Sequence, residues 1–444
     1  MAHVERPRFS CMLGGVLATL SALPKTVPII HGAQGCGGNL ANAYSLGGYL
    51  GAGYCGNAAV PSSCVGESEI IFGGTDRLQE EIVNTFDVME GDLFVLTTTC
   101  MTDIIGDDIK GVLNKLGPTE KPVLFIDTGG FKGNSYYGYS KMMEELFKQY
   151  IPISQQKDKR LVNLMGFVPG YDPFFRGNLE ELKRILNLMH VRANTFFTHD
   201  QSLGKIQAAG EAALNIVFSR LYGLEAAKAI RESHGIEYLV CDTPIGNEAT
   251  VKFALKVAEK LELDAEAIQK ILQKETDSYY KYVDRATDLI ADSDFQYYAI
   301  VVANSTDAIP YAKYLDNEIG WIVRYVFVTD DLNDAQKKTL EEAFENTLFT
   351  VQPTLRFETD TYKIQKYVEQ TDVQFKSDRY YETISPLCVL GSTIDRKLAE
   401  SLGGILLGIS YPLTNRIVLS KGYAGFKGGL NLLEDLIGLP IAGR

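Results

Sequence analysis

Short apolar runs recur along the chain, each followed by a turn and then by a segment with helical spacing. Residues 27–30, 92–98, 122–127 and 161–167 read as buried strands. So do 238–241, 298–303, 320–329 and 386–390. Helical periodicity predicts helices over 101–116, 139–150, 179–189, 248–261, 307–317, 334–347 and 394–402. A further long helix, or two, is expected over 264–290, with Asp264 suited to cap its start. Continuous apolar strands alternating with helices predict an α/β fold of parallel sheets covered on both faces. A chain of 444 residues exceeds what one such sheet needs. Three doubly wound domains are therefore expected, over 1–158, 159–295 and 296–444. In open sheets of this kind ligands sit beyond the carboxyl ends of the strands.

Composition narrows the function. Hydrophobic residues make up 45% and charged residues 22%, as in ordinary globular proteins. The net charge of −13 gives no footprint for nucleic acid, whose binding needs a basic patch. Residues 1–10 lack the apolar core of a signal peptide, and no uncharged apolar run is long enough for a membrane span. A cytoplasmic protein is expected. GxxxxGK[ST], HExxH and GxSxG do not occur, so phosphate-loop, zincin and serine-hydrolase chemistry find no support. The single GxGxxG match, Gly51 to Gly56, lacks a preceding strand, and Pro61 interrupts the helix it should open. The acid pairs Asp107–Asp108 and Glu144–Glu145 read as solvated helix faces.

The seven cysteines are odd in number and lie in a long chain, which argues against a disulfide scaffold. Three have a suggestive setting. Cys100, in TTTCMTDIIGDD, falls between a strand and a helix, where free N–H groups and the helix dipole favour a thiolate. Cys36, in HGAQGCGGN, is surrounded by Gly32, Gly35, Gly37 and Gly38, which permit close backbone approach, positive φ and N–H donation to an inorganic cluster. Cys11, in FSCMLGGVLATL, stands at a helix start. A single cysteine in such a fold is usually a small core residue, and spacing alone carries little weight because no CxxC pair occurs.

The motifs carry more together. FSCMLGGVLATL, VPIIHGAQGCGGN, IIFGGTDRL and TTTCMTDIIGDDI resemble, in order, the β-subunit pattern of nitrogenase component 1. NLMGFVPGYDPFFRGNLEELKRIL, CDTPIGNEATVKF and ISYPLTNRIVLSKGYAGFKGGLNLLEDL continue the resemblance over nearly the whole chain. The resemblance implies three Rossmann-like domains. It implies that Cys11, Cys36 and Cys100 hold half of an 8Fe-7S P-cluster, shared with an α-type subunit in an α2β2 heterotetramer. Gly35 and Gly37 would approach that cluster. An ATP-hydrolysing iron protein would deliver electrons, docking near Phe72, whose alternative reading is a strand end packed in the core. The active-site cofactor would lie in the partner: no histidine follows His234, and the family's α-type histidine position reads KGYAGFKGG here.

Cys241 resembles the α-type cofactor cysteine only superficially, and the following DTPIG is β-type, so Cys241 is expected to be structural. Cys55, Cys64 and Cys388 are expected to be unliganded, and His31 either bonds near the cluster or is a satisfied core histidine. Gly130, in DTGGFKGNS, stands where molybdenum enzymes have a serine that can bind an oxidised cluster iron. With the Gly-rich segment before Cys100 and a short N-terminus, Gly130 points away from molybdenum nitrogenase. The resemblance then favours a methylthio-alkane reductase that cleaves carbon–sulfur bonds. An iron-only or vanadium-type nitrogenase and a cofactor-assembly scaffold are the alternatives, with a tetrapyrrole reductase fitting the cysteines less well.

Overall fold

The structure, a computed structural model, describes residues 7–49, 59–287, 295–372 and 386–442. Twelve strands in these residues form three sheets, all of whose pairings are parallel. The first has three strands in the order β1 (Thr26–His31), β2 (Leu93–Thr98), β3 (Val123–Ile126). The second joins β4 (Asp158–Met165), β5 (Arg192–Asn194), β6 (Ala212–Val217) and β7 (Glu237–Val240) in the order β5-β4-β6-β7. The third joins β8 (Tyr298–Ala303), β9 (Ile322–Val328), β10 (Thr354–Phe357), β11 (Leu387–Gly391) and β12 (Ile405–Gly408) in the order β10-β9-β8-β11-β12.

Helices cover both faces of the sheets. In the first, Phe94 and Leu96 face the helices Thr75–Val88 and Ile109–Leu116. Val95 between them faces Met12–Ala22 and Ser135–Gln149. The third sheet alternates likewise, with Ala299, Val301 and Ala303 in one cluster and Ile300 and Val302 in the other. The last two sheets each reverse strand order once, between β4 and β6 and between β8 and β11, which places a crevice at their carboxyl ends.

Several expectations need correction. The helix expected over 101–116 is two helices, Cys100–Ile105 and Ile109–Leu116. Gly106 ends the first in a left-handed conformation at φ 78°, and Asp108 caps the second through Gly111 N at 2.8 Å. Asp107 is not on a solvated face. Its side chain is buried and bonds His31 Nε2 at 2.9 Å and Gly74 N at 2.9 Å. Glu145 is also buried, against Lys141. The helix expected over 139–150 starts earlier, at Ser135 behind the Asn134 cap, and that over 179–189 begins at Phe175. Strands β5, β6, β10 and β12 had no expected counterpart. Asp264 caps Ala265–Val283 through the amides of Glu266 and Ala267. The Gly51–Gly56 match, Cys55 and the end of the segment 264–290 lie outside the described residues.

Chain segments that follow strands of the last two sheets meet in a polar core. Asp172, Asp307 and Asp330 are buried there with Tyr136 and Tyr222. Burial pushes the carboxyl of Asp172 up to about 7, and it pushes Asp307 and Asp330 upward too. A carboxyl raised on folding keeps its proton in the native state while the unfolded chain, with a pKa of about 4, has lost it. Its contribution to stability is therefore complete below about pH 4 and is lost as pH rises through about 7. Asp172→Asn should gain stability relative to the parent protein between pH 5 and pH 8, read as the gap between their thermal unfolding midpoints. A gap that stays constant over that range would contradict a raised Asp172.

Candidate metal centre

Cys11 caps the helix Met12–Ala22 with extended backbone and forms an isolated antiparallel bridge with Asn134. Flanking bonds hold the two segments together: Ser135 N donates to Ser10 O at 2.9 Å and Ser10 N to Ser135 Oγ at 3.3 Å. Arg8, three residues earlier, is buried and forks onto Asp395, at 2.5 and 2.8 Å, so the segment is anchored to the turn after β11.

Cys100 is the first residue of its helix, directly after β2 and the N-cap Thr99. Thr102 Oγ1 donates to His31 O at 3.0 Å, which ties this helix to the end of β1. The Gly130 amide donates to Cys100 Sγ at 3.1 Å. A Cβ on Gly130 would stand 2.9 Å from Cys100 Sγ and 3.5 Å from Cys11 Sγ. Both thiols thus flank one glycine. Cys36 lies in the one-turn helix Gln34–Gly37 beyond β1. Burial pushes its thiol up, and the adjacent Cys11 and Cys100 push it further the same way. The three sulfurs are therefore near enough to repel one another as thiolates.

Gly35 and Gly37 do not make use of positive φ, and a Cβ on Gly35 would meet nothing within 4 Å. The close approach in this loop is at Gly32, where a Cβ would come 2.1 Å from Thr99 Cγ2.

Three soft thiolate donors in mutual electrostatic contact suit iron–sulfur chemistry, because a cationic group relieves their repulsion. Among the described residues, no group of three or more His, Cys, Asp or Glu could hold a single metal ion. The surroundings are open on one side. Cys100 is exposed, and Phe131 beside Gly130 is 62% exposed. Phe72 ends the helix Glu67–Phe72 at 84% exposure, so it neither ends a strand nor packs in the core. Ile71 on the same helix and Ile104 on the contacting Cys100–Ile105 helix are also exposed. A contiguous exposed apolar patch marks an interaction surface.

The other candidates are apart from this centre. His31 is fully buried between Ser63 Oγ and Asp107, both at 2.9 Å, a satisfied core histidine whose pKa burial lowers. Cys241 and Cys388 are buried thiols, each pushed up to about 12 by burial. Cys64 is exposed. The stretch from Lys421 to Gly429 packs on the helix Phe175–Leu188, where Asn178 Oδ1 accepts from the amides of Tyr423 and Ala424. Sequence reasoning missed Lys132. Its ammonium lies 2.5 Å from Asp103 and also bonds Asp127, residues brought together only by the β2–β3 pairing.

Residues 11–439 match the family model of nitrogenase component 1 type oxidoreductases. The chain belongs to this family. Among nitrogenase component 1 proteins it is β-type, as its relatives are. The molybdenum-iron protein β chain of Bradyrhizobium diazoefficiens is 23% identical over 98% of this chain and 84% of that one. The β chain of Azotobacter vinelandii is 28% identical over 65% of this chain, which spans 57% of that relative's length. A light-independent protochlorophyllide reductase polypeptide of Heliobacterium modesticaldum is 24% identical over 75% of this chain and 63% of that one. A solved structure, nitrogenase Cp1 at pH 6.5, superposes with a TM-score of 0.80 at 17% identity, covering 100% of this chain and 94% of that one, a likeness of fold.

Thiol exposure gives a direct check. In the metal-free chain, iodoacetamide should alkylate Cys64 and Cys100 well before Cys241 and Cys388, which should react only on unfolding.

Proposed function

We propose that this chain is the β-type subunit of a nitrogenase-like, ATP-dependent reductase. In this reading it holds half of an interfacial P-cluster through Cys11, Cys36 and Cys100. One observation carries the reading: Cys11 and Cys100 flank the Gly130 backbone with Cys36 close by, on a side of the chain that also carries exposed apolar side chains. That is the form expected of half a cage whose remaining ligands come from an α-type partner in an α2β2 heterotetramer. The cluster would supply reversible electron storage between the iron protein and the cofactor in the partner.

The chain's own residues would tune that storage. The thiolates set the charge, the Gly130 amide withdraws density from Cys100 Sγ, and burial by the partner lowers the local dielectric. Phe72, exposed beside the site, suits the docking of the iron protein, with ATP handled by that protein. Gly35 and Gly37 leave the backbone beside Cys36 uncovered. The acidic chain suits a cytoplasmic complex without nucleic acid or membrane. No described helix is long and apolar enough to cross a bilayer.

Cys36→Ala and Cys100→Ala should each lose cluster iron and reductase activity together in the complex purified without oxygen. Full iron in either variant would refute the ligand assignment. The parent complex should carry about eight irons per αβ interface beyond those of the partner's cofactor. About four would point instead to an assembly scaffold or a tetrapyrrole-type reductase.

For the substrate, we propose carbon–sulfur bond reduction of methylthio-alkanes. Gly130, which removes a side-chain oxygen from the cluster, and the Gly-rich segment before Cys100 support it. The nitrogenase β-chain relatives support dinitrogen as the second reading. Assays with dimethyl sulfide and with dinitrogen distinguish the two. Methanethiol release without ammonia is expected, and ammonia at ordinary nitrogenase rates would overturn the organosulfur reading.

A further inference from the structure

The turn that carries Gly130 is fastened by an ion cluster that the reading above leaves unused. Gly130, Phe131 and Lys132 form a single helical turn beyond β3. The Lys132 ammonium lies 2.5 Å from Asp103 Oδ2 and bonds Asp127 Oδ1. Asp103 stands three residues after Cys100 on the same short helix, and its side chain is 10% exposed. Asp127 directly follows β3 and accepts from Thr98 Oγ1, at the end of β2, at 3.2 Å. One lysine therefore joins the helix that begins with Cys100, the ends of two paired strands, and the turn whose amide bonds Cys100 Sγ. The fit is tight: a Cβ on Gly129 would lie 1.9 Å from Asp103 Oδ2.

An isolated exposed ion pair contributes little. This arrangement differs, because two carboxylates share one cation and one of them is nearly buried. Without the lysine, two like charges face each other across the Gly129–Gly130 backbone, and repulsion drives them apart. The Gly130 amide would move with the turn.

We propose that Lys132, with Asp103 and Asp127, is a positioning clamp that sets the Gly130 N–H···Cys100 Sγ hydrogen bond. Through that bond it sets the reduction potential of the group Cys100 holds. The proposal rests on Cys100 being a cluster ligand. A hydrogen bond to a ligand sulfur stabilises the more negative, reduced state and raises the potential. Loss of the bond and exposure of two carboxylates both act in the opposite direction.

The test is a redox titration of the intact complex followed by EPR, with iron content measured for every variant. Lys132→Met should retain its iron and shift the midpoint to more negative potential, by a factor of about ten in the one-electron equilibrium constant, about 59 mV. Lys132→Arg, which keeps both ion pairs, should return most of the shift. Lys110→Met removes a charge from the same groove without touching the clamp and should stay near the parent value. An unmoved midpoint in an iron-replete Lys132→Met complex overturns the proposal. Equal shifts in Lys132→Met and Lys110→Met also overturn it, because charge alone would then suffice. If Lys132→Met loses iron, Lys132→Gln, which keeps a donor without the charge, is read by the same criteria. A parent complex whose iron is unchanged by Cys100→Ala would instead sink the cluster reading itself.

Discussion

The centre depends on how closely the helix Met12–Ala22 lies against Ser135–Gln149. A Cβ on Gly15 would come 1.8 Å from Ser135 O, and one on Gly138 would come 2.2 Å from Met12 O. Both obstacles are backbone atoms, which cannot swing aside as a side chain can. Two glycines therefore let the helices touch. That contact holds Cys11 in register with Asn134 and beside Gly130. A wider crossing would carry Cys11 away from the Gly130 turn, whose amide bonds Cys100 Sγ.

Once gathered, the thiols create an electrostatic problem that the chain does not solve alone. Burial disfavours the thiolate of Cys36, and charge on the neighbouring Cys11 and Cys100 adds to that cost. Under the proposed function a cationic cluster would remove the charge penalty, and a partner over Phe72, Ile104 and Phe131 would cover their exposed hydrophobic surface. Under that proposal, folding, metal loading and assembly would be linked by the same few side chains. The Lys132 pairing with Asp103 and Asp127 adds a cation close by, on the chain's own turn.

The fold itself leaves the reaction open. Relatives of comparable similarity include nitrogenase β chains and a protochlorophyllide reductase polypeptide, so one architecture hosts different reductions. Near the cysteines, Gly130 contributes only its backbone amide to Cys100.

The sequence by itself determined the elements whose signal is local. β8 matches its expected span residue for residue, because YAIVVA is a continuous apolar run buried on both faces. The places of Cys11, Cys36 and Cys100 at the ends of local elements were legible in the same way. Only the tertiary structure decided the features that rest on distant partners. β6 was hidden because the polar Asn215 interrupts its run, a cost offset by Asn163 on β4, whose Nδ2 bonds Asn215 Oδ1 at 2.8 Å. The helix break at Gly106 could not be anticipated from Asp107, because the reason that acid turns inward is His31, on another strand. The Lys132 clamp needs β2 and β3 side by side before its charges can meet. Periodicity records which face of an element is buried. It carries no record of which polar group waits on the other side, and that pairing is fixed only when the chain closes on itself.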